Sequence, residues 1–305
     1  MSIALEVKDI VKKYGSQTIL DRLSLNMREG EVLGLLGPNG AGKSTLMNIM
    51  CGMIESDGGT ATFYGKKYVD IEDPGRKIGV MLDPTWLDSR ITAESVLKIQ
   101  ALRLKLDKPN QVVDKVLERV DLSHARGKKV SGLSLGMKQR LALGVALIGS
   151  PKMLILDEPV NGLDADGIVW VRDILHTFAK NGGSVLLSSH LMSEVEQTAT
   201  RVAILNGGKI VVEDEIKNLS TDENTTEFAV SGDASRLLNM LNANRINVSH
   251  DQKEDRYTAS GVKPDLLFSY AVQSQTVLTY LTLKRSSLEN VYFDWLDKTG
   301  HRARA

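Results

Sequence analysis

The chain holds 305 residues, with 38 lysines and arginines against 38 aspartates and glutamates, so it carries no formal net charge. That length admits one large or two ordinary domains, and 42% apolar with 25% charged residues describes a globular chain able to bury a core. Neutrality excludes bulk electrostatic capture of nucleic acid, and the single cysteine, Cys51, excludes an internal disulfide framework and suits a reducing cytoplasm.

The N-terminus lacks the basic-then-apolar layout of a secretory signal. The longest apolar stretches, such as residues 141–148, fall well short of the ~20 residues that span a bilayer. In chain order, the first 80 residues read as short strands broken by turns. Residues 3–7 alternate, residues 18–20 and 23–25 form further β pieces, and residues 31–36 are a nearly continuous apolar run ending at a glycine, the pattern of a buried strand. Helical spacing takes over at 93–106 and 111–120, with Pro109 between them, and a third helix begins near Ser134 and runs to Ile148. Then β and α alternate: strand 153–156, helix 168–180, strand 184–188, helix 193–200, and strands 202–205 and 209–213 around Gly207-Gly208.

The polar run Ser220–Thr226 reads as a linker. Residues 1–219 are therefore expected to form an α/β domain with a helical subdomain at about 85–150, and residues 220–305 a smaller α+β domain. In the latter, strand 226–231, helix 234–243, strands 246–250 and 255–260, helix 264–272 and strand 276–283 give a βαββαβ, ferredoxin-like order. A closing helix is expected at 287–296.

The most specific local feature is Gly37-Pro38-Asn39-Gly40-Ala41-Gly42-Lys43-Ser44, which fits G-x-x-x-x-G-K-[ST] between an apolar strand and a helix opening at Thr45. Glycines let backbone N–H groups turn inward around a phosphate, and the helix N-terminus adds favourable partial charge. The pattern points to a nucleotide bound with Mg²⁺, in which Lys43 would reach the β- and γ-phosphates and the Ser44 hydroxyl would ligate the metal. Residues 153–156 are four apolar residues running into Asp157 and Glu158. Ligands of parallel sheets bind beyond the carboxyl ends of strands, so these acids are expected beside the phosphate loop. There Asp157 would hold the Mg²⁺ shell and Glu158 would orient or deprotonate water.

In this order the motifs resemble those of the nucleotide-binding subunits of ABC transporters. Leu133–Leu141 resembles the family's signature segment, Asn161–Asp164 its D-loop, and Leu186–His190 the strand leading to its switch histidine; the likeness covers residues 1 to about 215. It implies a P-loop ABC-type ATPase fold. Ser134 stands at an N-cap position and Gly136 lets a phosphate approach the following helix, a second anion site in one chain. In the family, the signature of one subunit closes over the phosphate loop of another, which implies a homodimer with ATP sandwiched between subunits. Leu135 and Met137 depart from the consensus glycine and glutamine.

The resemblance further implies that His190 contacts the γ-phosphate beside Glu158, that Asp164 links the two sites, and that Tyr14 stacks on adenine. The family's Q-loop glutamine is here Asp83, which can ligate Mg²⁺ but only accepts hydrogen bonds. Either Asp83 keeps a metal-linked role or it ends a strand away from the metal. Trp86 and Leu87 are candidates for contact with a membrane partner or for core packing.

With no spanning segment of its own, a chain of this family is expected to lie on the inner face of the membrane through a separate permease. The signature segment, Asp83, the C-terminal extension and residues 286–293 resemble bacterial export ATPases for drugs and antimicrobial peptides. The alternatives are a soluble ABC ATPase acting on ribosomes or DNA, disfavoured by the neutral charge, and a slow nucleotide-binding regulator.

Overall fold

Two long strands open the chain, β1 (Ile3–Tyr14) and β2 (Gln17–Arg28), where the sequence pattern predicts three short pieces. They pair antiparallel, and register shifts between Val7 and Ile10 and again up to Lys13 break the strict alternation. Then follow β3 (Val32–Leu36), α1 (Lys43–Met50), β4 (Gly58–Phe63), a one-turn helix α2 (Pro74–Lys77) and β5 (Ile78–Met81). Strand β4 adds to the free side of β1, giving a three-stranded antiparallel sheet.

This computed structural model describes residues 2–82, 86–219, 225–251 and 255–283, together with Leu288 and Tyr292. The chain divides into two compact units, Met1–Ile216 and Lys217–Ala305. In the first, a helical block comprises α3 (Ala93–Arg103), α4 (Pro109–Arg119) and α5 (Leu135–Leu147). Pro109, expected to separate two helices, is the first residue of the second, where its missing N–H costs nothing. The Thr92 side chain caps α3 by accepting from the Ser95 N–H, and Ser134 caps α5 by accepting from Met137.

The remaining elements of this unit are β6 (Met153–Leu156), α6 (Ala165–Lys180), β7 (Ser184–Ser189), α7 (Met192–Thr198), β8 (Arg201–Asn206) and β9 (Lys209–Glu215), and the short helix α8 (Ile216–Leu219) begins at the unit's last residue. The main sheet has the order β5-β6-β7-β3-β8-β9, parallel except for the β8–β9 pair. Every residue of β3, β6 and β7 is buried, as continuous apolar runs demand of β3 and β6, while β7 also buries Ser184, Ser188 and Ser189. A core that includes Leu5, Leu33, Leu46, Phe63 and Ile155 joins the two sheets and α1.

In the second unit, β10 (Thr225–Val230), α9 (Ser235–Ala243), β11 (Asn247–Asp251), β12 (Arg256–Ser260), α10 (Pro264–Gln273) and β13 (Leu278–Leu283) succeed one another. Its four strands lie in the order β11-β12-β10-β13, all antiparallel, the split βαβ arrangement. Phe228, Leu237, Leu241, Ala259 and Leu267 form a core of its own. The closing helix expected at 287–296 lies outside the described residues apart from Leu288, which is buried, and Tyr292.

Candidate active site

The carboxyl ends of β3, β6 and β7 open on one edge of the main sheet, and each carries a predicted motif. β3 runs into the glycine loop, β6 into Asp157 and Glu158, and β7 into His190. The loop turns into α1 at Gly42, whose φ of 108° is open to glycine and strained for any L side chain. At Gly37 the limit is space, because a β-carbon there would lie 2.3 Å from the Leu205 carbonyl oxygen.

Lys43, the first residue of α1, is only 6% exposed. Its Nζ donates to the Gly37 carbonyl at 2.7 Å and stands 3.6 Å from Glu158 Oε1. The other Glu158 oxygen, Oε2, is 2.8 Å from His190 Nδ1. One carboxylate therefore joins the loop lysine to the strand-end histidine. Glu158 holds this position in a left-handed backbone conformation, φ 48°. Its neighbour Asp157 is buried, its N–H donating to the Met81 carbonyl at 2.7 Å and its Oδ1 accepting from the Ser188 hydroxyl.

Ser44, Asp157 and Glu158 line a groove of about 1050 Å³ that extends to Leu82, Trp86 and Gln139. A hydroxyl and a carboxylate on one groove are the hard oxygen donors that Mg²⁺ takes, and that ion completes its shell with water and phosphate rather than with a protein cage. Ser44 and the buried Asp157 supply that pair of oxygen donors.

The other predicted residues are placed elsewhere. Ser134 and Asp164 both spend their side chains as helix caps, Asp164 Oδ1 accepting from the Gly167 N–H at 2.9 Å. Gly136 packs against Leu163, and Leu135 lies over Gly162 so closely that a β-carbon there would be 2.2 Å from Leu135 Cδ2. The signature and D-loop segments are thus in mutual contact. Tyr14 is half exposed at the end of β1, where Lys12 Nζ sits 5.3 Å from its ring centroid. Asp83 lies outside the described residues. Trp86 is 52% exposed on the groove, whereas Leu87 is packed in the core at 5% exposure.

Two residues of the site went unassigned in the sequence. Ser188 is fully buried between the two acids, and its only local signal is one of two adjacent hydroxyls at the end of a buried strand. Gln139 is buried on α5, its Nε2 donating to the Asn161 carbonyl at 3.0 Å while its Oε1 has no partner. Asn161 in turn donates its N–H to the Glu158 carbonyl at 3.1 Å, so α5 is tied to the acid pair through two hydrogen bonds.

Comparison with known proteins places this geometry. The profile of a family described as ABC transporter matches residues 20–161. The lantibiotic transport ATP-binding protein SrtF of Streptococcus pyogenes is 38% identical over 211 residues, 69% of this chain and 90% of that protein. The bacitracin transport ATP-binding protein BcrA of Bacillus licheniformis is 39% identical over 215 residues, 70% of each chain. Among solved structures, the ATP-binding subunit of an ABC transporter superposes with a TM-score of 0.65 at 26% identity, covering 71% of this chain and 91% of that one. An ATP-binding cassette of an ABC transporter in its ADP conformation gives 0.60 at 26% identity, covering 72% and 95%.

Proposed function

This chain belongs to the ABC transporter family of ATP-binding proteins and is an ATPase, and we propose that its hydrolysis drives export of antimicrobial peptides or related drugs through a separate membrane permease. The observation that carries the chemistry is the convergence of Lys43, Asp157, Glu158 and His190 at one sheet edge, with Glu158 bridging Lys43 and His190. The cargo class rests on the names of the relatives, which are transport proteins for a lantibiotic and for bacitracin.

In this reading, the N–H groups of residues 37–44 and the Lys43 ammonium bind the β- and γ-phosphates of ATP. Ser44 and Asp157 would hold Mg²⁺, which when bound neutralises phosphate charge. Glu158 orients the attacking water and takes its proton, and His190 keeps the carboxylate aimed by holding Oε2. Tyr14 offers its exposed ring to adenine. Two subunits pair head to tail, so that the start of α5, with Ser134 and Gly136, closes on the phosphates held by its partner, and Asp164 lies at that junction. Asp83, in the place of the family's Q-loop glutamine, would serve as a further ligand of Mg²⁺.

No described helix is long and apolar enough to cross a membrane, so the chain would sit on the inner face through its permease, which meets the groove at Trp86. The test uses protein purified from membranes with its permease. Glu158→Gln should lower ATP hydrolysis by roughly 10²- to 10⁴-fold while ATP stays bound and the dimer persists. Turnover at the wild-type rate would overturn the role of Glu158. Recovery of the wild-type chain with no integral membrane protein would overturn the transport reading.

A further inference from the structure

We propose that Ser188 is a positioning residue for ATP hydrolysis, its single hydroxyl setting both the Asp157 carboxylate and the Glu158 peptide. The proposal rests on the reading of Glu158 as the base.

Strand order creates the contact. β7 lies between β3 and β6, in register Leu36↔Ser189 on one side and Leu156↔Leu187 on the other. One residue further along, Ser188 comes level with Asp157. All six residues of β7 are buried, so a hydroxyl there has no water to turn to and must find partners in the protein. A serine offers one donor and two lone pairs. Ser188 uses both functions, donating to Asp157 Oδ1 and accepting the Glu158 N–H at 2.9 Å.

That second bond falls on a strained peptide. Glu158 has a φ of 48°, uncommon for a residue with a side chain, and it precedes Pro159, which disfavours helical conformations before it. Such a backbone persists only where its surroundings fix it. Ser188 holds the N–H and Asn161 N–H holds the carbonyl at 3.1 Å, so the Glu158 peptide is gripped on both sides. Its side chain then emerges toward Lys43 and His190, while Asp157, tied back to Ser188, stays on its own course. Two consecutive carboxylates are in this way given different tasks. Ser189 cannot substitute, because successive strand residues face opposite ways, and its hydroxyl is engaged by the Leu191 N–H at 2.9 Å.

The experiment compares Ser188→Ala, Ser188→Thr and Glu158→Gln in the full chain. Ser188→Ala should lower kcat on the order of 10- to 100-fold, the scale of a slightly misplaced catalytic group, with little change in KM for ATP. Amide hydrogen exchange at Glu158, measured without nucleotide, should accelerate in that variant. Ser188→Thr, which keeps the hydroxyl, should restore most of kcat. A wild-type kcat in Ser188→Ala would overturn the proposal, and so would an unchanged Glu158 exchange rate. Should the extra methyl of threonine disrupt the strand, the exchange rate in Ser188→Ala decides alone. Wild-type turnover in Glu158→Gln would instead strike at the base itself, so the two failures are distinguishable.

Discussion

Cys51 follows α1, and burial pushes its thiol up from 9.0 to about 12. A thiol reagent needs the thiolate, so labelling at mildly alkaline pH should be very slow in the folded protein and rapid once denaturant is added. Fast labelling of the native chain would show that the core around α1 opens. The sign of the pH dependence follows from the same shift. Between 9.0 and about 12 the folded chain keeps a proton that the unfolded chain has lost. Stability owed to this group is therefore constant below about 9 and falls as pH rises through that window. Lys43, Asp157, Glu158 and His190 were legible in the sequence because each sits in, or at the end of, a short contiguous pattern. Ser188 and Gln139 were not, because their meaning lies in strand order and in a helix-to-loop contact that bring together residues 31 and 22 positions apart. A serine at a strand end looks the same in sequence whether it meets solvent or a buried carboxylate.

Among the elements, α5 offers the clearest local test. Its cap is a single side-chain bond, Ser134 Oγ accepting from the Met137 N–H at 3.2 Å. Ser134→Ala should cost about 1 kcal/mol of stability, read as a lower denaturant midpoint with unchanged slope in nucleotide-free protein. A midpoint equal to wild type would mean that packing alone holds the helix start. The long strands show where pattern reading fails. Asp9 and Arg22 have φ near 50°, and register shifts flank them, so the two-residue period slips within β1 and β2. Each slip moves apolar residues to the other face, so that β2 reads as two pieces and β1 as its first few residues alone. β3, β6 and β7 carry no such slips and were read nearly to the residue. The P-loop, by contrast, was found through its glycines, whose role depends on local backbone freedom rather than on any distant partner.

At the scale of the molecule, each unit carries its own core, one built around β1, α1 and the main sheet, the other around Phe228 and Leu237. Truncation after Leu219 should leave a chain that folds cooperatively and binds ATP with an affinity close to that of the full chain, measured by calorimetry. Loss of binding on truncation would make the second unit part of the nucleotide site.

The order β5-β6-β7-β3-β8-β9 also has a meaning in time. β3 leaves the ribosome early, yet both strands that flank it, β7 and β8, are encoded some 150 residues later. At about 5–20 residues per second of synthesis, a fully apolar strand and the phosphate loop behind it wait many seconds for neighbours. Histidine and acid pair arrive only in that late portion as well. A growing polypeptide thus cannot spend cellular nucleotide before residue 190 has been made, and the strand that carries its phosphate loop lacks a full set of neighbours until residue 206.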